Sequence, residues 1–143
     1  MFSVDGILCS AVDVWTVAQT CYGEARGEGS PGIYGVAWII RNRHDLHRRW
    51  KGKALASICR ARYQFSCWNP DDPNRSKLRG VSLDDRSFVL CLQAVVEVMG
   101  GLTFSPVGRA THYYADTLDT PPAWSVGVPV AAIGHHLFFE DIA

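Results

Sequence analysis

Glutamate is scarce in this chain: Glu24, Glu28, Glu97 and Glu140 are its only copies. Glu24 sits within a segment in which Val14, Val17, Ala18, Cys21 and Ala25 recur at helical spacing. At 100° per residue it falls about 80° from the centre of that apolar stripe, on the border between core and solvent. A carboxyl on such a border is partly desolvated yet still reaches a ligand, and desolvation favours the proton-bearing form. Cleaving a glycosidic bond needs such an acid, because the leaving oxygen must be neutralised. Position alone also fits a boundary Glu paired with arginine or closing a turn. Glu28 lies one turn further on. Two carboxylates of unlike acidity would suit a conventional glycosidase, whereas an ion pair or a contact with the next helix N-terminus is the structural reading.

Two aromatic segments could bind what such an acid cleaves. One is Gln64-Phe65-Ser66-Cys67-Trp68, and the other is His112-Tyr113-Tyr114 followed by Trp124. Sugars stack their C–H faces on aromatic rings and hydrogen-bond at their rims, so glycan grooves mix these residue types. On a strand His112 and Tyr114 face one side and Tyr113 the other. Each aromatic taken singly is more often a core residue than a ligand contact.

Between Arg41 and Arg62 lie 8 of the 14 cationic residues, opposed only by Asp45, although the net charge is zero. That segment suits an anionic polymer, either nucleic acid or a bacterial envelope, or else is a solvated loop. The 5 cysteines are odd in number and irregularly spaced, which argues against a closed disulfide framework. Cys21 and Cys91 fall in apolar helical patterns and read as buried thiols. There is no CxxC, no HExxH and no paired Cys/His spacing, and the adjacent His135 and His136 would point to opposite faces of a strand. No metal and no cofactor is therefore expected.

These residues must be carried by one domain, 1–143, since 143 residues supply one core. With 48% apolar and 20% charged residues the chain is expected to be globular. No apolar run is long enough for a membrane span, and Met1–Ser10 lacks the basic start of a signal peptide. A first helix is expected from an N-cap at Asp13 to Gly27 and Gly29. A second is expected from Ser30 as N-cap and Pro31, with Ile33, Val36, Ala37 and Ile40 buried. A short turn surrounds Leu55, Ile58 and Cys59, and residues 63–80 read as an exposed loop. A third long helix opens at Ser82 and buries Phe88, Cys91, Leu92, Val95 and Val98 or Met99. It stops at Gly100–Gly101. Thr111–Ala115, Pro129–Ile133 and His135–Phe139 suggest a small antiparallel sheet, making an α+β domain.

Tyr22-Gly23-Glu24-Ala25-Arg26-Gly27-Glu28 resembles the opening motif of the cell wall hydrolase family typified by SleB spore-cortex-lytic enzymes. Gly35-Val36-Ala37-Trp38-Ile39-Ile40-Arg41-Asn42-Arg43 is similar to its second helix, and Gln64–Trp68 to its next signature. Ala110–Tyr114, Trp124 and Ile133–Phe139 resemble its late β segment and end. The resemblance is strongest over 15–139. It implies a compact lysozyme-like α+β fold and cleavage between N-acetylmuramic acid and N-acetylglucosamine by a lytic transglycosylase route, with Glu24 as acid and then base. It assigns substrate contacts to Glu28, Gln64, Phe65, Ser66, Trp68, His112, Tyr114 and Trp124. A stand-alone domain without a signal looks more like a phage or prophage endolysin, made in the cytoplasm and released to the wall through a membrane lesion. Peptidoglycan is then the expected partner, with no nucleic acid, and a monomer is expected. A hydrolytic muramidase with a second carboxylate and a non-catalytic wall-binding module are the competing readings. An amidase or peptidase would need zinc or a Cys–His pair, for which the sequence shows no convincing arrangement.

Overall fold

In the computed structural model, which describes residues 2–4 and 7–143, a short hairpin of β1 (Phe2–Val4) and β2 (Ile7–Cys9) leads directly into α1 (Ala11–Ala25). The sequence gives no sign of that hairpin. The expectation that Met1–Ser10 is no signal peptide concerns a stretch of which Met1, Asp5 and Gly6 lie outside the described residues. Ser10, not Asp13, caps α1. The Ser10 hydroxyl accepts the Asp13 N–H at 3.1 Å, and Asp13 Oδ2 accepts the Ser10 N–H at 2.8 Å, forming a reciprocal capping box. Asp13 Oδ1 also takes the Ala56 N–H at 3.0 Å, which fastens the start of α3 (Leu55–Arg60) to α1.

A 3₁₀ turn, Arg26–Glu28, joins α1 to α2 (Gly29–Leu46), so α2 opens one residue before the expected Ser30 cap and Pro31 sits within its first turn. Segment 63–80 is not a plain loop. It holds a 3₁₀ turn, Ser66–Trp68, and a helix, α4 (Asn74–Arg79), pinned by the buried Leu78. α5 (Arg86–Met99) is capped by Asp85, whose carboxylate accepts from Ser87 N at 2.9 Å and Phe88 N at 3.2 Å; it therefore begins after Asp85 rather than at Ser82.

Val17, Ala18 and Cys21 of α1 are fully buried among Val36, Ile39 and Ile40 of α2 and Phe88, Cys91 and Val95 of α5. All five cysteines are free and buried. No helix among the described residues is long and apolar enough to cross a membrane.

The C-terminal third forms the expected three-stranded antiparallel sheet, in the order β3 (His112–Ala115), β5 (His136–Phe139), β4 (Ala131–Ile133). Tyr113 pairs with Phe138, and Phe138 with Ala131. β3 is thus an edge strand. Helices followed by a small sheet make this an α+β fold.

The sheet is tied to the helices at Glu28. Its carboxylate Oε2 accepts the backbone N–H of His135 at 3.1 Å, in the turn between β4 and β5. Gly134 holds that turn with φ +56°, and a Cβ there would meet Glu28 Oε2 at 1.9 Å. We expect Gly134→Ala to destabilise the protein by about 1–2 kcal/mol from the left-handed backbone alone, with the clash adding to it. The measurement is the urea midpoint; an unchanged midpoint would show that the Glu28 contact gives way freely.

Candidate active site

Glu24 lies in the last turn of α1 and is half-buried. Two elements aim three hydrogen-bond donors at its carboxylate. The Tyr113 hydroxyl, from β3, donates to Oε1 at 2.5 Å. The Cys67 N–H donates to Oε2 at 3.1 Å, and the exposed Ser66 hydroxyl lies 3.4 Å from the same oxygen. Burial and then the neighbouring Glu24 carboxylate hold the Tyr113 phenol well above its ordinary value, so it stays protonated and donates. Burial and then Glu24 likewise push the Cys67 thiol up.

The carboxylate opens into a cavity of about 660 Å³. Glu24 is the only carboxylate side chain among its described lining residues, and Arg43 and Arg49 are the cationic ones. Arg43 is buried, 3% exposed, with Nε donating to the Thr111 carbonyl at 2.7 Å and Nη1 to Gln64 Oε1 at 3.3 Å. Its guanidinium lies 4.2 Å from the centre of the Trp50 ring and 4.8 Å from that of Phe65. Burial lowers its pKa to about 10, which leaves it charged at neutral pH. His112 packs among the rings of His47, Trp50 and Trp124. Burial, then Arg43, His47 and Arg49, lower its pKa to about 4. Burial also lowers His136, whose ring centre lies 4.8 Å from that of Tyr113. Trp124 stands edge-on to Tyr114 at 5.9 Å and, with Tyr63, completes the aromatic wall. Among the described residues no group of three or more His, Cys, Asp or Glu side chains is placed to hold a metal ion.

Of the residues expected to bind substrate, Gln64, Ser66, His112, Tyr114 and Trp124 line this cavity with Glu24. Phe65 does not. It is 1% exposed and forms part of the core beneath, because the 3₁₀ turn that follows points alternate side chains inward. Trp68 points away from the cavity, giving its indole N–H to Thr20 Oγ1 at 2.9 Å. Glu28 is outside the lining, engaged with the β4–β5 turn. Sequence reasoning missed Tyr113, His136 and Arg43 as cavity residues. Strand alternation put Tyr113 on the face away from His112, but β3 is an edge strand and both its faces border the cavity. Arg43 falls within the basic segment, which the sequence leaves open between a polymer-binding stretch and a solvated loop. That segment divides: Arg43 and Arg49 face this cavity, Arg60 lines another, and Arg48, Lys51 and Lys53 are exposed.

The sequence model of the Cell Wall Hydrolase family matches residues 27–139. No curated protein matches the chain. Among solved structures, the catalytic domain of the germination-specific lytic transglycosylase SleB from Bacillus anthracis is similar, with a TM-score of 0.70 and 23% identity over 92% of this chain and 96% of that one. The catalytic domain of the Bacillus cereus SleB protein is similar too, with a TM-score of 0.69 and 22% identity over 96% of this chain and 95% of that one. At such identities the likeness shows the fold.

Burial of His112 carries a pH signature. The unfolded chain takes up a proton as the pH falls through the ordinary histidine value of 6.5, whereas the folded chain resists until about 4. The stability this neutral histidine contributes is therefore complete above 6.5 and is lost as the pH falls from 6.5 towards 4, by on the order of 2–3 kcal/mol at most. We expect the urea midpoint to drop more between pH 7 and pH ~4.5 in the parent than in His112→Gln, with His47 and His136 carrying the remainder. Equal drops would remove His112 from the acid response.

Proposed function

We propose that this chain, which belongs to the cell wall hydrolase family and is a peptidoglycan-cleaving enzyme, cuts between N-acetylmuramic acid and N-acetylglucosamine as a lytic transglycosylase, with Glu24 as the acid and residues 1–143 as one catalytic domain. The observation that carries this reading is the single carboxylate side chain in the cavity. A hydrolase with a carboxylate partner would need a second one either roughly 5–5.5 Å or about 6.5–9.5 Å from the first. The lining offers no second acidic side chain, and Glu28 is spent on the His135 N–H. The lytic transglycosylase named in the description of one structural neighbour supports the same reading.

In this mechanism the Glu24 proton passes to the leaving glycosidic oxygen as its bond to the muramic acid anomeric carbon breaks. The resulting carboxylate then takes the proton of the C6 hydroxyl of the same sugar, whose oxygen bonds to the anomeric carbon. Protons balance, no water is consumed, and Glu24 ends protonated for the next turnover. Intramolecular attack avoids the entropy of capturing a water. Tyr113 and the Cys67 N–H hold the carboxylate in one place for both transfers, and Tyr114, Trp124 and Gln64 are positioned along the cavity to bind the sugars.

Glu24→Gln keeps the side-chain volume but has no proton to give. It is expected to lower lysis of purified walls by roughly 10²–10⁴-fold with an unchanged melting temperature. Activity within about threefold of the parent would remove Glu24 as the acid. The products of the parent should end in 1,6-anhydro-N-acetylmuramic acid, lighter by one water than a hydrolytic end and resistant to borohydride. Mass spectrometry showing mainly reducible ends would replace the transglycosylase with a muramidase and leave Glu24 in its role.

A further inference from the structure

Trp68 belongs to the aromatic run that the sequence points to, yet it lies outside the catalytic cavity. It lines instead a separate depression of about 470 Å³ between α1, α4 and the 66–68 turn. Trp15, 37% exposed, forms a second aromatic wall. Arg60, Arg75 and Arg79 converge on the same space, and no acidic side chain is among its described lining residues. Arg60 holds its guanidinium 4.7 Å from the Trp68 ring centre, and Arg75 donates to the Trp68 carbonyl. None of the three arginines makes an ion pair with a described residue. Asp72 lines a neighbouring depression with Arg75 and Arg79, and its Oδ1 is taken by the Asn74 N–H at 2.8 Å.

The two cavities are lined from neighbouring positions of the same segments. Ser66 faces the catalytic one and Trp68 the other, and Asn74 and Arg75 divide in the same way. The arginine-lined depression thus adjoins the cavity that holds Glu24. Three guanidiniums without an ion-pair partner among the described residues, beside two indoles, suit a ligand that combines carboxylates with apolar surface.

We infer that this depression is a second wall-binding site, which takes the carboxylate-bearing peptide stems of the peptidoglycan being cleaved. It rests on the proposed function, since the stems arrive with the glycan. Holding them would raise the local concentration of strand at the catalytic cavity without touching the reacting bond.

The test compares Arg60→Glu/Arg79→Glu with its parent, both carrying Glu24→Gln so that the ligand survives. Binding is measured by co-sedimentation with sacculi freed of teichoic acid and with glycan strands whose stems have been removed by an amidase. We expect the double variant to bind stripped sacculi at least tenfold more weakly and stem-free strands unchanged. In the Glu24 background, turnover of stem-free strands should also be unchanged. Undiminished binding to stripped sacculi, or equal weakening on stem-free strands, would overturn the inference. A loss seen only on walls that retain teichoic acid would overturn it in favour of a phosphate ligand. If the charge reversal lowers the melting temperature, Arg60→Gln/Arg79→Gln gives the same reading without it. A chain with Glu24 intact that cannot clear sacculi at all would sink the proposed function and this site with it, whereas an intact chain that clears them and a double variant that binds normally would sink this site alone.

Discussion

The contact on which the site depends is the close approach of α1 to the 66–68 turn at Gly23. A Cβ on Gly23 would lie 2.6 Å from Cys67 Cβ and 2.8 Å from its Sγ, so only a residue without a side chain lets the turn come this near. Because it does, the next residue along the helix, Glu24, meets the backbone N–H of Cys67. The same approach buries Cys67 and sets Phe65 beneath the site. It also leaves Ser66 facing the catalytic cavity and Trp68 facing away. The adjacent pair Gly23-Glu24 thus couples a packing requirement to a chemical one, and a side chain at the first position would displace the donor that orients the second.

Around that contact, burial keeps most of the titratable neighbours uncharged. Tyr113 and Cys67 are pushed up and His112 and His136 are pushed down, so at neutral pH all four carry no charge. The cationic side chains left along the cavity with Glu24 are Arg43 and Arg49. The fixed charge of Arg43, held by the Thr111 carbonyl and by the rings of Trp50 and Phe65, offsets the carboxylate without reaching it as an ion pair.

How much of this was legible in the sequence depended on how far each signal reaches. The three long helices declared themselves through apolar spacing, since Val17, Cys21, Val36, Ile40, Phe88 and Val95 all lie in the core. Their first residues were displaced because capping residues compete: Ser10 and Asp13 share one box, and Asp85 outbids Ser82. α4 was hidden because a single buried residue, Leu78, holds it among polar neighbours. Glu24 was readable from its place on the helix border and from the resemblance around it. The loss of Phe65 and Trp68 from the expected site, and the gain of Tyr113, have one cause. Strand alternation and local clustering describe which way side chains diverge, but not which face of the fold will be concave.

The proposed mechanism asks one carboxylate to serve two proton transfers. An acid that must become the base of the next step has to stay where it gave up its proton, within about a hydrogen bond of both sugar oxygens. Donors from β3 and from the 66–68 turn fix its two oxygens separately, so neither can swing without breaking a contact to a different element. Those elements are themselves anchored elsewhere: the sheet through Glu28 to the α1–α2 junction, and the turn through Trp68 to Thr20 of α1. The second glutamate of the opening motif therefore contributes from outside the cavity. By holding the β4–β5 turn it sets the position of β5, hence of its partner β3, and so of the Tyr113 hydroxyl on the Glu24 carboxylate.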